Sequence, residues 1–109
     1  MHQKAIAHTA ELIRAAALYS ETTIPDTTRQ IGEEKVARLL HNSPMNQLLD
    51  FSRVVREVVH DCDLHRCANG LNIEPDVAYG NYIASIVTAR TNDHHKYANT
   101  LYDILAGKA

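Results

Sequence analysis

"MNQLLDFSRVVREVVHDCDLHRCA", residues 45–68, supports two readings at once. Leu48, Phe51, Val55, Val58, Cys62 and His65 recur at spacings of three and four, which places them in one stripe of an amphipathic helix turning 100° per residue. The segment from His60 to Cys67 also packs two histidines, two cysteines and two aspartates together, as a metal or catalytic site would. Helical geometry separates that cluster. Cys62 continues the core stripe, where a free cysteine behaves as a small hydrophobe. Arg53, Arg56, His60 and Cys67, with Glu57 nearby, fall on the opposite side. The helix is expected to open at Ser43-Pro44, a capping hydroxyl followed by the one residue that loses no hydrogen bond at a helix start. It is expected to run on to Asn69-Gly70, two residues that tolerate the left-handed backbone of a helix end.

The flanking segments have the same period. "QKAIAHTAELIRAAALYSE", residues 3–21, is rich in the best helix formers and sets Ile6, Ala10, Ile13 and Ala17 on one face. Pro25 breaks it, with the neighbouring threonines and Asp26 as caps. "TTRQIGEEKVARLLHN", residues 27–42, predicts a second helix with Val36, Leu39 and Leu40 inward and Glu33 and Glu34 near its positive end. A fourth helix begins around Pro75 and carries Val77, Ile83 and Val87, with Gly80 a weak point inside it. A fifth closes the chain with Tyr97, Leu101, Ile104 and Leu105 on one side. No strand-like alternation or repeat occurs. The expectation is an all-α fold, a compact bundle of about five helices in one domain spanning residues 1–109.

Composition narrows the function. A chain of 109 residues can bury roughly 65% of its unfolded surface and so needs no staples. Two close cysteines and no leader pattern point to a cytoplasmic protein, and the short apolar runs exclude a membrane span. With net charge −2 and dispersed Lys and Arg, the chain shows no basic stripe of the kind that marks nucleic-acid binders. No His or Cys pair within residues 60–67 has the i, i+4 spacing that lets a helix offer two ligands to one ion, and adjacent His94 and His95 would point about 100° apart on a helix. No metal and no cofactor is therefore assigned.

Three local patterns resemble known families. "REVVHD" resembles the His-Asp motif of HD-type phosphohydrolases, with His41 and Asp103 as the partners that the resemblance would require. Arg53 and His60 resemble the arginine and histidine of HEPN ribonucleases, which implies a paired nuclease site across a dimer. "RQIGEEKVARLLHNSPMNQLL", residues 29–49, resembles the helix-turn-helix of small phage-type regulators, which would set Asn46, Gln47 and Arg53 against DNA. Asp50, in a recognition helix that would begin "PMNQLLDFSR" at residues 44–53, would face phosphates unfavourably.

With no convergent catalytic set, the leading expectation is a non-enzymatic regulator or inhibitor that occludes another protein or protein complex, of the antitoxin, immunity or phage anti-defence type. Its expected contacts are Tyr79, Tyr82, Tyr97 and Tyr102 as anchors, with Glu33, Glu34, Asp61 and Asp63 as acidic groups toward a basic partner. A homodimer through the third helix is a further expectation.

Overall fold

Helix ends, more than helix interiors, set this architecture. The computed structural model describes residues 2–65 and 73–108, and among these every regular element is helical. The elements are α1 (His2–Tyr19), α2 (Ile24–Ile31), α3 (Glu33–His41), α4 (Ser43–Asn46), α5 (Phe51–Asp61), α6 (Val77–Arg90), a 3-10 turn (His94–Lys96) and α7 (Tyr97–Leu105). The all-α expectation holds. Among the described residues seven α-helices replace the expected five, because two of the long helices are broken.

The first break is at Gly32. Its backbone, at φ +87° and ψ 157°, lies in a region that is essentially reserved for glycine, so α2 stops there and α3 starts anew. At the other end α2 begins before Pro25 rather than after it. Thr23 caps it by accepting a hydrogen bond from the Asp26 amide at 3.2 Å, and proline sits harmlessly in the first turn.

The second break divides the segment quoted first. Ser43-Pro44 starts a helix as expected, but α4 lasts a single turn, and Asp50 then caps α5 by accepting from the Arg53 amide at 3.2 Å. Leu48 thereby leaves the core stripe, and Phe51 is only half-buried. From residue 54 onward the stripe is real: Val54, Val55, Val58, Val59 and Cys62 are buried. His65 is exposed. The helix ends at Cys62, well short of Asn69-Gly70, because Asp63 takes φ +56° and the Leu64 amide donates back to the Val59 carbonyl at 2.9 Å. That is a Schellman closure, with buried Leu64 as its apolar plug. Asn69, Gly70 and Cys67 lie outside the described residues.

The core is organised around α1. Instead of one apolar face, α1 buries Ile6, Ala10, Leu12, Ile13, Ala16 and Ala17 on several sides, since its alanines let neighbours approach from all directions. Its most extensive partner is α6, and α5, α2, α3 and α7 pack around the remaining surface. Gly80, expected as a weak point, is buried where α6 lies close against α1. A Cβ there would lie 2.7 Å from both the Ala7 carbonyl oxygen and Glu11 Cγ, and closer still to Glu11 Oε2. On α6, Ile83, Ala84 and Val87 face inward, whereas Val77 is 58% exposed, against expectation.

Candidate docking groove

The α4 turn decides what the surface offers. Ser43 is fully buried, and its hydroxyl meets His8 Nδ1 at 3.4 Å and accepts from Gln47 Nε2 at 3.1 Å. These contacts pin the turn to α1. The short connection to α5 then has no core of its own to fill, so Met45, Leu48 and Leu49 stand 69%, 85% and 41% exposed. Three large apolar side chains exposed within five residues mark a binding surface more often than chance placement.

Beside them runs a groove of about 780 Å³. Its walls come from the start of α1, the end of α3, the α4 turn and the start of α7. Ile6, Ala37, Leu40, Leu48, Tyr97 and Ala98 give it an apolar lining, and Lys4, His2, His41 and His94 add basic or potentially basic groups, with no acidic side chain among the lining residues. The His2 ring stacks on His94 at 5.3 Å and tilts against Tyr97 at 5.5 Å, so one end of the groove is built from aromatic rings.

The four tyrosines expected to form one anchor surface meet different neighbours. Tyr97 lines the groove. Tyr82 is 62% exposed on α6. Tyr79 is half-buried beneath the Arg14 guanidinium, 5.8 Å from its ring centre, and burial raises its phenol above the usual value. Tyr102 belongs to the core, with Lys108 Nζ 5.3 Å from its ring centre. The expected acidic contacts are exposed but lie elsewhere. Glu34 pairs with Arg38 at 3.2 Å, and Glu33 lies 3.8 Å from Lys108. Asp61 and Asp63 sit at the end of α5, where their carbonyls accept from Lys35 Nζ at 3.0 Å and Gln30 Nε2 at 2.9 Å.

The residues of the other readings are placed as follows. A four-residue α4 gives Asn46 and Gln47 no recognition helix, Asn46 is half-buried, and Arg53 is paired with Glu57 at 3.2 Å. Arg53 and His60 do share the exposed side of α5, in a shallow depression with Arg56, Glu57 and Asp61. His41 lines the groove, apart from His60-Asp61, and Asp103 is half-buried on α7. Cys62 is buried, and loss of hydration pushes its thiol further above the usual range than Lys35 pulls it down. His60 and His65 are exposed, so the dense cluster divides between core and surface. Asp93, His94 and His95, by contrast, present ligand atoms within 4.8 Å of one another, because a 3-10 turn brings the two rings to 4.1 Å.

No protein-family model, curated protein or solved structure matches this chain. Among the described residues no helix is long and apolar enough to cross a membrane.

Periodicity conceals the exposed apolar turn, because Leu48 fits the three-four spacing of α5. The available signal was "DFSR", residues 50–53, in which an aspartate ahead of an apolar run announces a new helix start.

Proposed function

We propose that this chain is a protein-binding regulator that takes an amphipathic, acid-flanked helix of its partner into the groove beside α4. The observation that carries the reading is Leu48, 85% exposed at the edge of an apolar groove lined by Lys4 and three histidines and by no carboxylate. An apolar stripe on a partner helix would cover Leu48, Leu40 and Tyr97, while its acidic flanks would meet Lys4 and the histidines. Occlusion of the partner by such a contact would be the inhibitory action.

The test compares the native chain with Leu48→Glu, Met45→Glu and Tyr82→Ala as baits in lysate of the source organism, with nuclease present and absent. A captured protein is then mapped by binding of its fragments. Helical content and thermal midpoint should be unchanged in all three variants, since each replaced side chain is exposed. The expected result is an acidic amphipathic fragment whose affinity falls about tenfold or more with Leu48→Glu and not with Tyr82→Ala. Equal affinity for Leu48→Glu and the native chain would overturn the groove as the site. Recovery of nucleic acid alone would replace the reading with a nucleic-acid one. A dimer in sedimentation that Leu48→Glu dissolves would mean that a second copy covers the apolar turn.

A further inference from the structure

Asp93, His94 and His95 are consecutive and exposed, yet they are not spread as consecutive helical residues would be. The Asp93 carboxylate accepts from the His95 amide at 3.0 Å, which tightens the backbone into the 3-10 turn and leaves its second oxygen free. The imidazoles of His94 and His95 are 4.1 Å apart between ring centres, and the three ligand atoms lie within 4.8 Å of one another. Ligands of a tetrahedral ion bound at about 2.0–2.1 Å stand about 3.4 Å apart. Rotations about exposed side-chain bonds cover that difference. The fourth group comes from the far end of the sequence: His2, in the first turn of α1, lies with its ring 5.3 Å from that of His94 and nearly parallel to it.

We propose that Asp93, His94, His95 and His2 form a tetrahedral site for a divalent transition-metal ion, zinc being the natural probe. Three imidazoles and one carboxylate are a donor set that suits zinc, cobalt, nickel or copper better than calcium or magnesium, which prefer oxygen. To bind, the His2 ring turns from its stacked position so that a nitrogen, in place of the ring face, meets the ion. Asp93, His94 and His95 are adjacent in the chain and can reach an ion whether or not the protein is folded. His2 is brought to them by the packing of α1 against α6 and α7, which flank the 3-10 turn, so its contribution distinguishes a folded site from a local sequence.

Zinc binding is measured calorimetrically on reduced, tag-free full-length protein, and Co2+ absorption reports the coordination geometry. One equivalent of zinc with micromolar affinity and an intense tetrahedral Co2+ spectrum are expected. His95→Ala should weaken binding about a hundredfold, and His2→Ala about tenfold with the Co2+ spectrum turning weaker and octahedral. Native affinity in His2→Ala would overturn the folded four-ligand site in favour of a local chelate. Binding that survives His95→Ala and is lost when Cys62 and Cys67 are replaced by serine would overturn it altogether. His2 and His94 also line the groove, so zinc binding is measured on the partner-free protein, and Tyr82→Ala, on exposed α6 surface outside the groove, should leave it unchanged.

Discussion

Replacing Gly80 by alanine would ordinarily favour a helix by about 1 kcal/mol. Here the new methyl would press on the Ala7 carbonyl and the Glu11 side chain at the α1–α6 contact. Gly80→Ala is expected to cost about 2–3 kcal/mol in denaturant unfolding, because two packed helices must separate to admit it. Two titrating residues on α1 act with opposite signs. Burial lowers His8 below its ordinary 6.5, so its contribution to stability is present above that value and lost as pH falls through the lowered one. Burial and then the charge of Asp76 raise Glu11 above 4.5, so its contribution is full below that value and lost as pH rises through the raised one. Thermal midpoints recorded from pH 7.5 to 4 should therefore fall first through His8, and His8→Asn should flatten that part of the profile. Glu11→Gln should raise the midpoint at pH 7 and make no difference once Glu11 is protonated in the native chain. Neither residue stood out in the sequence, where one histidine of seven and one acid among thirteen carry no mark of burial.

At the scale of the element, three helices end by the same device. The amides of Thr22, Leu64 and Lys108 reach back to the carbonyls of Ala17, Val59 and Asp103, and residues 21, 63 and 107 take positive φ. Only the last of these is glycine. At Asp63 the left-handed backbone carries a Cβ that strains it, so Asp63→Gly is expected to stabilise by about 1 kcal/mol, read as a shifted denaturant midpoint with unchanged slope. These closures explain what could be read in advance and what could not. The three-four spacing revealed that α1, α3, α5, α6 and α7 exist, because a core-facing stripe is a property of many residues at once. It could not show where they stop, because stops at Asp63 and Gly32 depend on the dihedral angles of single residues. Asp50 is legible as a cap, but Leu48 on one side of it and Phe51 on the other keep the same period and conceal the break.

Across the whole molecule, the all-α class followed from periodicity alone, whereas the groove did not. Its lining comes from both ends of the chain and the middle, and no linear pattern joins His2, Leu40 and Tyr97. Burial around α1 also bears on how the chain acquires its shape. The helix at the centre of the core is made before its main partner α6, and α2 to α5 come between them. Until α6 is made, α1 has only the smaller contacts of α2 to α5 to shelter it, and the loop that closes it against α6 contains all four of those helices. Folding should therefore wait for the last third of the chain and then proceed as one step. A fragment of residues 2–65 is expected to show little fixed tertiary structure by near-ultraviolet dichroism and to recover protected α1 amides when a fragment of residues 66–109 is added. A folded 2–65 fragment would contradict this order.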